Sequence, residues 1–146
     1  MQPRTDAPRL FVAEDDHGIA ELLTTRLEQA GYITRSARNG WRALEGIQEM
    51  QPDAVILDIN MPGMDGFAVL RALRAARHLE KTPVLMLTAR GAREDVAQAI
   101  KLGAKDYITK PFNEAELLQR VARLVRRRGA PAPGAPSAPD DGALLI

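Results

Sequence analysis

The sequence predicts an α/β fold, a doubly wound five-stranded parallel sheet with helices on both faces. Short apolar runs alternate along the chain with amphipathic helical periods, giving five β-α units in strict succession. The chain has 146 residues, of which 45% are hydrophobic. That length supports one well-formed core and leaves little room for a second domain.

The predicted strands differ in strength. Three are runs of four continuous apolar residues, at 10–13 (LFVA), 54–57 (AVIL) and 84–87 (VLML). Such runs are typical of strands buried on both faces. The segments 32–34 and 107–108 are weaker and predict shorter or edge strands. We therefore expect the first, third and fourth strands to be central.

Apolar residues at three- and four-residue spacing predict a helix after each strand. Asp16 is expected to cap the first helix, and Asp65 to shape a turn and the start of the third. Gly31 and Gly103 stand where C-terminal caps are expected. The helical positions are Ile19, Leu22, Leu23 and Leu27; Trp41, Leu44 and Ile47; Phe67, Leu70 and Leu73; Val96, Ala99 and Ile100; and Leu117, Val121, Leu124 and Val125.

The two ends differ from the middle. Residues 1–8 are polar with two prolines and predict a flexible N-terminal arm. Residues 129–146 contain four Pro, five Ala and three Gly, which predicts a flexible linker after a domain at 9–128. The apolar residues at 143–146 either begin a strand of a missing output domain or form a frayed terminus, and both interpretations stay open.

Composition excludes several classes of protein. The net charge of +1 argues against a domain that mainly binds nucleic acid. Without cysteine there is no disulfide, thiol nucleophile or cysteine metal site, and two histidines argue against a multi-histidine zinc centre. No apolar run approaches the roughly 20 residues of a membrane span, and no secretory signal follows the first Met. We expect a soluble cytoplasmic domain.

Polar residues follow the strands at their carboxyl ends, where doubly wound sheets bind ligands. Glu14 and Asp15 follow the first strand, Asp58 the third, Thr88 the fourth and Lys110 the fifth. Clustered carboxylates need a cation or raised pKa values, and such oxygen ligands suit Mg²⁺. Asp58 is then placed to attack an activated phosphoryl group, whose charge the metal and Lys110 compensate. The sequence therefore predicts in-line phosphoryl transfer.

These residues resemble the receiver domains of bacterial two-component response regulators. Segment 116–127 (ELLQRVARLVRR) resembles the fifth helix of receivers that precede a winged helix, the OmpR/PhoB-type subfamily. The resemblance covers about residues 9–128 and rests on segments 12–16 (VAEDD), 57–66 (LDINMPGMDG), 87–89 (LTA) and 106–112 (DYITKPF). It implies a flavodoxin-like sheet with strand order 2-1-3-4-5. It also implies a sensor histidine kinase as partner, Mg²⁺ as cofactor and DNA binding only through a C-terminal output domain, with no membrane partner.

The resemblance assigns roles to the residues at the strand ends. Asp58 would be the phosphoacceptor. Glu14 and Asp15 would bind Mg²⁺ together with Asp58 and the backbone carbonyl of Asn60. Thr88 would contact the phosphoryl group. Such a domain catalyses only its own phosphorylation and dephosphorylation and is otherwise not an enzyme.

Further expectations concern the loops around the site. By resemblance, Lys110 would contact the phosphoryl group, its peptide bond to Pro111 would be cis, and Tyr107 would act as the aromatic switch. Asn60 and Arg90 each lie two residues beyond a site residue, at loop positions that overlook it. We expect both to tune the lifetime of the phosphorylated state.

The resemblance also implies a homodimer on phosphorylation, formed through the fourth helix, fifth strand and fifth helix. Asp106 and Arg120 match one reciprocal salt bridge of such dimers, and Glu116 matches half of another. Val96 stands where the basic partner of Glu116 is expected, and Lys101 where an acidic residue is usual. The interface is therefore expected to be weaker, more hydrophobic or differently paired.

Two other kinds of function fit these residues less well. A dehalogenase-type aspartyl-phosphate hydrolase needs a second Asp two positions after the first, where this chain has Asn60. A flavodoxin-like binding module needs a Gly/Ser/Thr-rich phosphate loop after the first strand, where residues 14–16 are all acidic. Among receivers, one that stands alone or belongs to a hybrid kinase, acting by protein contact, is the alternative to a transcriptional regulator.

Overall fold

The computed structural model describes residues 7–89 and 93–127. Five strands form one sheet: β1 (Arg9–Ala13), β2 (Ile33–Ala37), β3 (Ala54–Asp58), β4 (Val84–Ala89) and β5 (Asp106–Lys110). Their order is β2-β1-β3-β4-β5, and all four pairings are parallel. The predicted fold class is confirmed, and the two weaker apolar runs are indeed the edge strands.

The helices lie between the strands as the periodicity predicts. They are α1 (His17–Gln29), α2 (Gly40–Met50), α3 (Gly66–Ala75), α4 (Arg93–Lys101) and α5 (Glu114–Arg127). A short 3-10 turn at His78–Glu80, which the sequence did not predict, follows α3. None of the described helices has the length and apolar character needed to cross a bilayer.

Four of the described helices begin at a side-chain cap. The side chains of Asp16, Asn39, Asp65 and Asn113 each accept a hydrogen bond from the backbone N–H three residues further on. The caps satisfy amide groups that the first turn of a helix leaves unpaired. The predicted roles of Asp16 and Asp65 as helix-start residues are confirmed. Gly31 and Gly103 have φ angles of 103° and 117°, as C-terminal caps require.

The core consists of two hydrophobic clusters, one on each face of the sheet. Phe11 and Leu57 lie in the cluster that includes α2, α3 and Ala99 of α4. Leu10 and Ile56 lie in the cluster that includes α1 and α5. Successive residues of a strand thus enter different clusters, because side chains alternate across a sheet. β3 is buried along its whole length, as the continuous apolar run predicts.

Some of the apolar helical positions lie outside this core. Trp41 on α2 is 66% exposed, and Leu22 and Ile100 are also exposed. A helix turns by about 100° per residue, so Leu22 and its neighbour Leu23 face different directions. Only Leu23 is buried against the sheet. The spacing therefore located the helices correctly but included positions that remain in solvent.

Candidate functional site

Three carboxylates meet at the carboxyl ends of β1 and β3. The two strands are neighbours, with Ala13 opposite Leu57, so the residues that follow them converge. Glu14, Asp15 and Asp58 each offer an oxygen atom, and these atoms lie within 4.8 Å of one another. Glu14 and Asp58 are buried whereas Asp15 is exposed. Two of the three carboxylates are thus buried, and the third lies at the solvent-exposed side of the site.

Lys110 places an ammonium group against the two buried carboxylates. Its Nζ lies 3.0 Å from Glu14 Oε1 and 3.4 Å from Asp58 Oδ2. Lys110 ends β5, and its peptide bond to Pro111 is cis, as predicted. The other Glu14 oxygen, Oε2, accepts a hydrogen bond of 3.0 Å from the backbone N–H of Asp16. The structure therefore brings together the acids and the cation that the sequence predicted.

The electrostatics of this cluster are unbalanced. Burial and the neighbouring Glu14 carboxylate raise the pKa of Asp58 to about 7, although Lys110 and the Asn60 backbone N–H oppose the shift. Burial lowers the pKa of Lys110, but its contacts with Glu14 and Asp58 outweigh that effect and raise it. Lys110 therefore stays protonated at neutral pH, while Asp58 shares its site with more negative charge than one ammonium offsets.

The donor set fits a divalent cation. Glu14 Oε1 is buried, and the Lys110 ammonium lies 3.0 Å from it. Asn60 follows Asp58 on an exposed loop, and its N–H donates to Asp58 Oδ1 at 3.3 Å. Carboxylate and backbone carbonyl oxygens are the ligands that Mg²⁺ prefers in proteins. Three carboxylates face a single ammonium here, and a divalent cation would balance the remaining negative charge.

Thr88 and Tyr107 lie on the neighbouring strands. Thr88 is 1% exposed near the end of β4, next to β3, and its hydroxyl donates only a long hydrogen bond of 3.5 Å to the Ala89 carbonyl. The Thr88 hydroxyl thus makes only a weak hydrogen bond at the predicted edge of the sheet. Tyr107 on β5 has an exposed side chain. Arg90, the other predicted loop residue, lies outside the described residues.

The residues predicted for the dimer face form a network within the chain. Arg120 on α5 lies 2.7 Å from Asp106 Oδ1 through Nη1 and 3.3 Å from Glu116 Oε2 through Nε. The Asp106 side chain is largely buried, whereas Glu116 is half-exposed. Val96 is partly buried and Lys101 is exposed on α4. Asp106 and Arg120, which sequence reasoning expected to pair between protomers, are therefore already paired within one.

Two glycines beside the site make contacts that the sequence did not predict. Gly40 and Gly66 each follow a helix cap directly, and each sits against the loop that leads from Asp58 to α3. The signal was present as a cap followed by glycine, Asn39-Gly40 and Asp65-Gly66. The sequence alone does not show that both glycines contact the same loop.

A comparison with known proteins identifies the family. A family model described as the response regulator receiver domain matches residues 10–122. The chain belongs to this receiver domain family. The resemblance on which the site assignments rest is thereby confirmed, and membership decides against a dehalogenase-type enzyme and a flavodoxin-like binding module.

The relatives of this receiver domain are regulators of transcription. It is 42% identical over 132 residues to the transcriptional regulatory protein PrrA of Mycobacterium leprae, covering 90% of this chain and 56% of PrrA. It is 42% identical over 120 residues to the DNA-binding dual master transcriptional regulator RpaA of Synechocystis, covering 82% of this chain and 50% of RpaA. The chain therefore spans about half the length of the curated relatives it matches.

Solved structures show the same fold. The receiver domain of the Francisella response regulator 1452 superimposes with a TM-score of 0.76 at 38% identity, covering 82% of this chain and 98% of that one. Nearly the whole of that solved receiver domain therefore has a counterpart in this chain.

Proposed function

We propose that Asp58 accepts a phosphoryl group from a sensor histidine kinase in the presence of Mg²⁺. The observation that carries this proposal is the convergence of three carboxylates and one ammonium at a single rim of the sheet. Glu14, Asp15, Asp58 and the Asn60 carbonyl would hold the ion. When bound, Mg²⁺ would neutralise charge between these oxygens and those of the phosphoryl group.

The residues of the chain act by position and charge. The Asp58 carboxylate attacks the phosphorus in line and a new carboxyl O–P bond forms. The bond between phosphorus and the donor breaks, and its electron pair leaves with the donor. Lys110 keeps its proton and stabilises the phosphoryl oxygens as an ammonium. The Thr88 hydroxyl, engaged only by a long hydrogen bond, is free to turn toward a phosphoryl oxygen. Burial of Asp58 limits access of water to the acyl phosphate.

Two adjacent aspartates offer a matched test of this assignment. The domain is incubated with acetyl phosphate and Mg²⁺, and covalent phosphoryl uptake is followed by intact-protein mass spectrometry. Asp58→Asn should abolish uptake and Asp15→Asn should reduce it severely. Asp16→Asn should behave as wild type, because the Asp16 side chain caps α1 and an asparagine caps equally well. Uptake by Asp58→Asn at the wild-type yield would refute the proposal.

The proposed output is control of transcription through a DNA-binding domain that follows residue 128. Support comes from the relatives, which are named as transcriptional regulators and are about twice as long as the matched region. The Pro- and Ala-rich composition of residues 129–146 suits a linker between two domains. The reading frame beyond Ile146 tests this directly: a winged-helix sequence is expected, and a stop codon would favour a receiver that acts by protein contact.

A further inference from the structure

The loop that connects Asp58 to α3, residues 59–65, touches the first turn of α2. A β-carbon on Gly40, the first residue of α2, would overlap the Met64 carbonyl oxygen and lie 2.8 Å from Met64 Cβ. The backbone of α2 therefore rests directly on the backbone of the loop. Only glycine permits an approach this close.

The same loop is fixed at its other end. Gly66 packs against the Asp58 carbonyl, and its N–H donates to the Ile59 carbonyl at 2.8 Å. Between the two glycine contacts the Met61 side chain is buried, whereas Asn60 is exposed. The position of Asn60, whose carbonyl is a proposed Mg²⁺ ligand, thus depends on how the loop is held at its ends.

We propose that Gly40 is a positioning residue for this loop and thereby sets the affinity of the Mg²⁺ site. The helix cannot yield to an added side chain, because Asn39 caps its start and Ala43 and Ile47 are fully buried in the core. The loop, with Asn60 and Gly63 exposed, must move instead. The inference rests on the proposed function, since it concerns the same metal site.

A pair of glycine-to-alanine variants in the same helix tests the proposal. Gly40→Ala presses on the loop, whereas Gly46→Ala would overlap the ring of Phe11 and presses on the core. Both are expected to lower the melting temperature. Mg²⁺ affinity, measured by isothermal titration calorimetry, should weaken about tenfold in Gly40→Ala, as for a disturbed supporting residue of a metal site. In Gly46→Ala it should stay within about twofold of wild type, as for a site without shared contacts.

A second readout locates the change. In Gly40→Ala the amide NMR signals of Asn60 and Met64 should shift without added metal, whereas in Gly46→Ala they should stay in place. If Gly40→Ala does not fold, the Mg²⁺ affinity of Met64→Ala is measured instead. This variant removes the Met64 side chain beyond Cβ, including the Cγ atom that lies against Gly40, and should also weaken Mg²⁺ binding.

The outcomes separate the two proposals. Wild-type Mg²⁺ affinity in Gly40→Ala, or in Met64→Ala where that variant is needed, would overturn the positioning role. An equal loss of affinity in Gly40→Ala and Gly46→Ala would overturn it as well, because instability alone would then explain the effect. A wild-type domain that binds no Mg²⁺ would instead contradict the proposed function.

Discussion

Asp58 is buried at a site where its negative charge is poorly compensated. Its pKa is raised from 3.8 to about 7 by burial and by the Glu14 carboxylate. Between these two values the folded protein retains a proton that the unfolded chain has lost. The free energy of unfolding therefore falls as the pH rises from about 4 to about 7, in the absence of metal.

Asp58→Asn should consequently stabilise the metal-free domain. The amide has a similar shape and carries no charge, so the gain should be roughly 2–4 kcal/mol at pH 8. It should shrink steadily as the pH falls toward 4, where the carboxyl group is neutral as well. Urea unfolding in a chelator at several pH values measures this difference. A gain that does not depend on pH would contradict the assigned pKa, and added Mg²⁺ should stabilise wild type more than the variant.

Asn60 and Arg90 should set how long the acyl phosphate persists. Asn60 is exposed on the loop beside Asp58, where its side chain can influence the approach of water. A long arginine side chain at position 90 can screen attacking water, so Arg90→Ala should lose phosphate faster than wild type. Dephosphorylation after removal of the donor is followed for Asn60→Ala and Arg90→Ala. Unchanged rates in both variants would exclude this role.

At the scale of elements, the pairing of β5 with α5 bears on dimerisation. Arg120 is held by Asp106 and Glu116 of its own chain, so a reciprocal pairing between protomers exchanges one ion pair for another. The attraction lost within the chain is replaced by a similar attraction between protomers, so the exchange changes the free energy of dimerisation little. Burial of apolar surface would then have to supply most of the free energy of dimerisation. Ile100 on α4 and Tyr107 on β5 are exposed and could be buried in such an interface.

We expect the beryllofluoride-treated domain to dimerise through α4, β5 and α5. Arg120→Glu places a third carboxylate beside Asp106 and Glu116 and should keep the domain monomeric in sedimentation velocity experiments. Arg71→Glu, a charge reversal at an exposed position of α3 and so outside this face, is the control and should dimerise as wild type. A dimer indifferent to Arg120→Glu, or no dimer at high micromolar concentration, would exclude this face.

Elements were predictable where local chemistry decides them. Continuous apolar runs predicted β1, β3 and β4 because both faces of these strands are buried. Asp16 predicted a helix start because its carboxylate accepts a hydrogen bond from the first turn of α1. The contact of Gly40 with Met64 and the pairing of Arg120 within the chain were not predictable. They depend on how close segments distant in sequence approach one another, which neither periodicity nor capping determines.

At the scale of the whole molecule, the fold should not need its C-terminal segment. The second hydrophobic cluster already closes with Val121, Leu124 and Val125 of α5. Residues 129–146 are rich in Pro, Ala and Gly and contain no aromatic side chain. A chain truncated after residue 128 should therefore keep the melting temperature and the acetyl phosphate uptake of the full chain. A clearly lower melting temperature would show that the domain extends further than 9–128.

The division of the core into two clusters also affects how this domain can vary. In β1, Leu10 and Val12 belong to one cluster, and Phe11 and Ala13 belong to the other. The sheet therefore separates two hydrophobic clusters, each of which packs against its own face of the sheet. A change of side-chain volume beneath α1 and α5 can be compensated within that half, without repacking the residues beneath α2 and α3. Natural selection or a protein engineer can thus revise the two sides of this molecule in separate steps.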